Sequence, residues 1–508
     1  MRRVSISASS QIAAEAAAWV ADQGGNAVDA AIASTIVAMT TEPGIVAPGA
    51  GAFVTIWPGD GPPVVIDGYL AMPGLAAGRT PASFGETVHM AYGGGMETQI
   101  GFPSVAVPGV WAGLGEANAR FGSLPWGALL VPAIGAVDDG FPLSAVSAAY
   151  LAYSHEPIFD VDEASFRALH RPDGTRLAEG EPVRIEGLAG SLGLIAGEGP
   201  ESFYRGTLAH GLLGAMEEFG GSITAADLEG YSAEVRDPIV VELDGWSIAT
   251  NPDPAVGGAV LAAMLLLLDG VGFADWSASG VRVMADVQRA VLGFRSRRLD
   301  IAGDRGAAVE ELLATARIGD HHALLNSPST VHNSAVDSDG NACSITTSAG
   351  YGSGVMIPGT GLWLNNGLGE VELHPADGKV GPGQRLPSNM APTVARRRDG
   401  GALAIGSPGA SRITTALAQV LCNFMCLGMS LNDAVRHPRL HVEMFEGEPT
   451  LAFEPGLEVD EVGSLVLRRF PDISMYFGGV GVAMWDPGAG LFEVADPRRS
   501  GAVAVGGV

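Results

Sequence analysis

Ser327-Pro328-Ser329-Thr330-Val331-His332-Asn333-Ser334-Ala335-Val336-Asp337-Ser338-Asp339-Gly340-Asn341-Ala342 is the stretch from which the fold is read. A short β-type run, Ser334 to Val336, leads into the turn Asp339-Gly340-Asn341, and a second run follows from Ala342 to Thr347. Two such runs around an Asp-Gly-Asn turn predict a hairpin. The hairpin holds the hydroxyl of Thr330 at a strand edge, where a rigid scaffold can present it. A threonine in such a place is ordinarily a strand residue, so the pattern alone assigns it no chemistry.

Thr330-Val331-His332-Asn333-Ser334-Ala335-Val336-Asp337-Ser338-Asp339-Gly340-Asn341-Ala342 resembles the Thr-Thr-His-x-Ser-Val-Val-Asp-x-Asp-Gly-Asn-Ala motif of the gamma-glutamyltransferase (gamma-glutamyltranspeptidase) family. Gly352-Ser353-Gly354-Val355 and Pro358-Gly359-Thr360-Gly361-Leu362-Trp363-Leu364-Asn365-Asn366 continue the resemblance. The family belongs to the N-terminal nucleophile hydrolases, whose inactive precursor cuts itself just before the nucleophile. The resemblance therefore implies an α+β fold, a four-layer αββα sandwich. It also implies cleavage between Ser329 and Thr330, giving a large fragment (1–329) and a small one (330–508) that stay together as a heterodimer.

The chemistry behind such a cut is simple. A threonine hydroxyl is a weak nucleophile until a base takes its proton. Within an intact chain Thr330 has only an amide nitrogen, which is no base. Cleavage would free an α-amino group with an ordinary pKa of about 7.7–8.0, partly neutral at cytoplasmic pH. One residue would then hold both nucleophile and base.

Composition sets outer bounds. The chain has 508 residues, of which 47% are hydrophobic and 17% charged, enough for a large buried core. The net charge of −27 argues against nucleic-acid binding, which needs a basic footprint. Cys343, Cys422 and Cys426 are odd in number and widely placed, so they imply no disulfide framework. The run Val420 to Leu427 around two of them reads as buried helix and not as a metal site. No cofactor motif is present; the glycine-rich turn Gly49-Ala50-Gly51-Ala52 lacks a lysine at P-loop spacing. The start Met1-Arg2-Arg3-Val4 lacks the apolar core of a signal peptide, and Ala259 to Leu268 is too short to span a bilayer, so a cytoplasmic location is expected.

Along the chain, Ser9 to Gln23 reads as an amphipathic helix, and Asn26 as the N-cap of a second helix through Met39. Gly24-Gly25-Asn26-Ala27-Val28-Asp29-Ala30-Ala31 resembles a hallmark of the family's amino-terminal region. Val54 to Trp57 and Pro63 to Asp67 read as strands. Val281 to Leu299 reads as the helix leading towards the processing site, and Gly319 to Ser329 as a polar, cleavable loop.

The resemblance also assigns a site. Gly406-Ser407-Pro408-Gly409-Ala410-Ser411-Arg412-Ile413 is similar to the family's Gly-Ser-Pro-Gly-Gly-Ser-Arg-Ile, which makes the amides of Gly409 and Ala410 the oxyanion hole. A turn entering a helix near Ile413 would aim those amides outwards. Ser348 falls where the family has a hydroxyl that bonds the nucleophile. Glu370, in Asn365-Asn366-Gly367-Leu368-Gly369-Glu370, stands for the acid that binds the substrate's α-amino group. Ser388 and Asn389 occupy the substrate-contacting Ser-Ser-Met segment. The segment from Val371 to Gln384 is shorter than in relatives that carry a lid, implying an open pocket.

One departure bears on the substrate. Typical members have an arginine, two residues past the aspartate, that grips the substrate's α-carboxylate. Here Asp67-Gly68-Tyr69 puts Tyr69 there. A neutral phenol cannot replace a guanidinium fork, and Arg79 is the nearest candidate substitute in sequence. Two activities are expected. The first is transfer or hydrolysis of an amide of γ-glutamyl type, glutathione being the default donor. The second is hydrolysis of a carbon–carbon bond beside a keto group, as in relatives from bacterial antibiotic biosynthesis.

Overall fold

The computed structural model describes residues 2–76, 84–91, 95–318, 330–370, 373, 380–460 and 462–507. Two antiparallel sheets lie face to face, built from thirteen strands. In chain order these are β1 (Val4–Ala8), β2 (Gly51–Trp57), β3 (Val64–Gly68), β4 (Glu234–Arg236), β5 (Ile239–Leu243), β6 (Trp246–Thr250) and β7 (Val331–Asp337). They continue as β8 (Ala342–Ser348), β9 (Thr393–Arg397), β10 (Ala402–Gly406), β11 (Gly481–Asp486), β12 (Gly490–Val494) and β13 (Ala502–Gly506). The first sheet runs β13-β1-β7-β8-β2-β3-β4, and the second β12-β11-β10-β9-β6-β5.

Helices cover both outer faces. α1 (Gln11–Asp22) and α2 (Ala27–Thr41) pack on the first sheet, α3 (Val256–Val271) and α5 (Arg412–Leu421) on the second, and α4 (Ala278–Phe294) packs outside them against α3. The result is the αββα sandwich expected from the sequence. α2 begins where the sequence says it should. Asn26 and Asp29 form a reciprocal capping box, which satisfies amides at the helix start that no preceding turn can serve. Among the described residues no helix is long and apolar enough to cross a membrane.

The hairpin is present and longer than its β-type runs suggested. Asp337 holds its turn by accepting the amides of Asp339 and Asn341, each at 3.0 Å. Thr330 stands at the end of a strand, directly before β7, and β7 lies between β1 and β8 in the interior of the first sheet. The helix read as Val281 to Leu299 is α4 followed by a wider turn, Arg295–Leu299, and a further helix, Arg305–Ile318, comes before residue 319. Gly319 to Ser329, Arg79 and most of Val371 to Gln384 lie outside the described residues, so the cleavable loop, the substitute arginine and the shortened lid are not seen.

Between the sheets the side chains are small or hydroxylic. Ala249, Val336, Ala342, Val394, Ala402, Ala404 and Ala483 form one dry cluster there. Ser5 and Ser7 of β1 donate to the carbonyls of Phe492 and Val494, both at 2.8 Å. Ser344 of β8 donates to Ile405 O at 2.9 Å, and Thr55 of β2 to Pro392 O at 2.9 Å. Each of these bonds crosses from one sheet to the other.

His332 lies in this layer. Burial pushes its pKa down to about 3, and burial also holds His441, beneath α5, well below the ordinary value. The unfolded chain takes up these protons near pH 6.5, whereas the folded chain refuses them, so stability is lost as pH falls below about 6.5. The thermal transition is expected to be clearly lower at about pH 5 than at pH 7. Calorimetry should find a smaller drop in a His332→Gln variant.

Candidate active site

Thr330 directly precedes β7 and is 3% exposed. Side chains alternate across a strand, and the neighbours fix which face it uses. Asn333 points to α2, accepting from Ser34 Oγ at 3.0 Å, and Asp337 accepts the Ala27 amide at 3.1 Å. His332 points the other way, towards β10, where a Cβ on Gly406 would come within 2.3 Å of its ring. Thr330 shares the parity of His332 and so faces the second sheet. There it lines a cavity of about 30 Å³ together with Ser9, Glu42, Pro408 and Arg499.

Ser348 is brought to it by register. Val331 pairs with Thr347, so the next pair along the ladder is Thr330 with Ser348. Ser348 Oγ accepts the Gly350 amide at 3.1 Å. On its other side Ser348 pairs with Gly51 of β2.

Gly409 and Ala410 form the turn between β10 and α5, one residue after the cavity-lining Pro408. Their φ angles are 121° and 66°. Their carbonyls face the helix, accepting the amides of Arg412 at 3.0 Å and Ile413 at 3.1 Å. Among the described residues neither of their own amides donates a backbone hydrogen bond. Two amides free at the end of a helix can stabilise an oxygen that gains negative charge. Ala410 adopts its left-handed backbone at a cost of roughly 1–2 kcal/mol that glycine would not bear; Gly409 at φ 121° could not be replaced so cheaply.

The remaining residues form a second group. Tyr69 is buried, stacks on Phe53 with centroids 5.2 Å apart, and is hydrogen-bonded to Ser388. Burial, reinforced by the charge of Glu370, pushes its phenol well above the ordinary range, so it is neutral at any working pH. A Cβ on Gly51 would come within 2.7 Å of the Tyr69 ring. Glu370 lies against Gly350, where a Cβ would be 3.0 Å from Oε2. The sequence Thr330, Ser348, Gly51, Tyr69 and the sequence Ser348, Gly350, Glu370 thus join the two groups through direct neighbours. Asn389 follows Ser388, is 5% exposed, and among the described residues has no partner for either side-chain amide atom. Ser329 lies outside the described residues.

Several residues that the sequence reading passed over build this site. Asn365 satisfies all of its bonding capacity. Its Oδ1 accepts the amides of Ala106 at 3.0 Å and Gly367 at 2.9 Å, and its Nδ2 donates to Gly49 O and Ala106 O. Asn366 accepts the Tyr351 amide and donates to Thr98 Oγ1 and Gln99 O. Beneath Tyr69, Asp67 accepts the Tyr69 amide at 2.9 Å, Arg385 Nε at 3.2 Å and Arg236 Nε at 2.8 Å. Arg385 also lies over the Tyr231 ring. Bound in this way, Arg385 is committed to the protein and does not stand in for the absent carboxylate grip. The paired asparagines inside a glycine-rich run were the one visible signal of this scaffolding.

A family model described as gamma-glutamyltranspeptidase matches residues 13–506. The acylase ACY 1 proenzyme of Pseudomonas sp. (strain V22) is 31% identical over 532 residues, spanning 98% of this chain and 92% of that protein. The glutathione hydrolase proenzyme of Pseudomonas aeruginosa is 32% identical, spanning 86% of this chain and 83% of that protein. Among solved structures, a cephalosporin acylase from Bacillus halodurans is similar with a TM-score of 0.83 at 25% identity, over 99% of this chain and 95% of that one.

The strained turn makes its own prediction. Ala410→Gly relieves the backbone but loosens the unfolded chain, so thermal stability should change by no more than about 1 kcal/mol. Ala410→Val puts a β-branched side chain at positive φ in a buried turn and should cost about 2 kcal/mol. Chemical denaturation of the two variants beside the parent chain measures both.

Proposed function

The chain belongs to the gamma-glutamyltranspeptidase family of hydrolases and acyltransferases, and from that premise we propose that it splits itself before Thr330 and then cleaves amides through an acyl-enzyme on that residue. The observation that carries this reading is the place of Thr330 at the start of β7, where it lines a cavity with Pro408, the residue just before the Gly409-Ala410 turn, while the β7–β8 register sets Ser348 opposite it. Thr330 Oγ attacks the substrate carbonyl and its own amine takes the proton. The amides of Gly409 and Ala410 receive the oxyanion, and Ser348 holds the hydroxyl in line. The amine group of the substrate leaves with the proton, and water or a second amine then releases the acyl group.

Both fragments are expected to remain in one particle. Three strands of the first sheet (β7, β8, β13) come from 330–508; β1 from 1–329 lies between β13 and β7, and β2 pairs with β8. Breaking one peptide bond at the end of β7 leaves those ladders intact, in keeping with the proenzyme names of the relatives.

The acyl pocket supports a donor other than a γ-glutamyl group. Where a cation would bind the α-carboxylate there is a neutral, buried phenol fixed by Phe53 and Ser388. Asn389 offers an unpaired donor and an unpaired acceptor, which suit a neutral polar group. Acylated amines of the kind implied by the name cephalosporin acylase are the substrates to try first. A neutral phenol at this place also fits a substrate cleaved at a carbon–carbon bond beside a ketone, and on that second reading none of the anilides is cleaved.

Intact-mass spectrometry tests the first half. Wild-type protein should give two fragments, one starting at Thr330, and Thr330→Ala a single unbroken chain; an unbroken wild type would sink self-processing. Activity of the mature enzyme should rise with pH through about 7.7–8.0, as the Thr330 amine loses its proton. Substrate assays test the second half. Anilides of acyl groups without an α-carboxylate should be cleaved at least about tenfold faster, in kcat/KM, than a γ-glutamyl anilide. Tyr69→Arg should narrow or reverse that ratio; an unchanged ratio would remove Tyr69 from the account of specificity.

A further inference from the structure

The self-processing reading leaves one chemical gap. The mature base, the amine of Thr330, does not exist until the cut has been made, so the intact chain needs another proton acceptor. The cavity at Thr330 supplies candidates. It is lined by four side chains that titrate or carry charge: Glu42, His332, Asp496 and Arg499. Its volume of about 30 Å³ is enough to hold water.

Three of the four are unsuited to accept a proton. His332 is held through both ring nitrogens, by Thr346 Oγ1 at 3.0 Å and Ser334 Oγ at 2.7 Å, and its pKa of about 3 makes it a poor base. Asp496 is locked between Arg439 at 2.6 Å and Arg498 at 3.2 Å, and also accepts the Val480 amide at 2.9 Å. Arg499 is a permanent cation. Glu42 differs. It closes α2, is buried, and is held by neutral hydroxyls, with Ser9 Oγ donating at 2.5 Å and Ser10 also bonded to it. Burial raises its pKa above the usual carboxylate range, more than those hydroxyls and the charge of Arg499 lower it. A carboxyl raised in this way is a better match for a proton held by a hydroxyl.

We propose that Glu42 is the proton acceptor for Thr330 in the intact chain, acting through one water molecule in the shared cavity. This rests on the self-processing reading above. The Thr330 proton passes through the water to the Glu42 carboxylate as Thr330 Oγ bonds to the carbonyl carbon of residue 329. The bond from that carbon to the Thr330 nitrogen breaks, and the proton held by Glu42 goes to the departing nitrogen. An ester then joins residue 329 to Thr330 Oγ. A second water hydrolyses it, leaving a carboxylate on residue 329 and a free hydroxyl and amine on Thr330. Glu42 ends as it began.

The test follows the full chain made by cell-free translation and chased between about pH 5 and 8, with cleavage read by gel and intact mass. Wild-type cleavage should speed up with rising pH as Glu42 deprotonates, and then level off. Glu42→Gln keeps the size and the bond to Ser9, and should cleave at least about 100-fold more slowly and without that rise. Glu42→Asp should recover part of the rate. A folded Glu42→Gln chain that cleaves within about threefold of wild type overturns the proposal. Should the glutamine variant not fold, the wild-type profile decides, and a rate independent of pH over this range overturns it. A wild-type chain that stays whole removes the self-processing reading itself, and the Glu42 proposal with it.

Discussion

The sandwich depends on two sheets approaching closely enough for hydroxyls of one to bond carbonyls of the other. Larger side chains would force the sheets apart; apolar ones of the same size would leave carbonyls near the layer without a donor. Serine and threonine meet both demands, which is why Ser5, Ser7, Thr55 and Ser344 occupy inward positions that a simple alternating pattern would fill with valine or isoleucine. The consequence is positional. β7 is bonded on both edges, pressed by α2 on one face and by β10 on the other, so the residue at its start is fixed in three directions. Side chains held by rigid strands are placed more accurately than side chains on loops.

The residues beneath Tyr69 have the same character. Asp67 is a buried carboxylate that two arginines and a backbone amide satisfy together, and Tyr69 stands on it. The tyrosine is not an isolated exchange for arginine. Phe53 stacks on it, Gly51 leaves room for its ring, and Ser388 bonds its hydroxyl. A guanidinium in that place would lose the stack and bring a charge beside two arginines already present. The place of the tyrosine is thus supported by several residues at once.

What could be read in advance was local. The Asp-Gly-Asn turn, the Asn26 cap, the hairpin and the glycine-bearing turn before α5 each declare themselves within a dozen residues, because backbone geometry demands particular residues there. The two sheets were legible only through resemblance, since strand order such as β13-β1-β7 joins residues hundreds apart. Nothing near Thr330 in sequence shows that β1 lies alongside β7. Glu42 and Asn365 were missed for a related reason. One reads as the end of a helix and the other as part of a motif, and their partners, Thr330 and Ala106, are far away along the chain.

That separation has a consequence for timing. The cavity at Thr330 takes Ser9 and Glu42 from near the amino terminus, Pro408 from the turn after β10, and Arg499 from near the carboxyl terminus. None of these can be near Thr330 until both sheets have formed, because β1 comes to lie between β13 and β7 only in the finished sheet. On the self-processing reading, an unfolded or half-made chain therefore carries a threonine with no base, no oxyanion donors and no partner hydroxyl. Cleavage must follow folding, and the strands it would separate are already held by complete ladders on both sides. A sheet that interleaves the two halves of its chain thus solves two problems with one arrangement: the cut cannot come early, and it cannot take the halves apart when it comes.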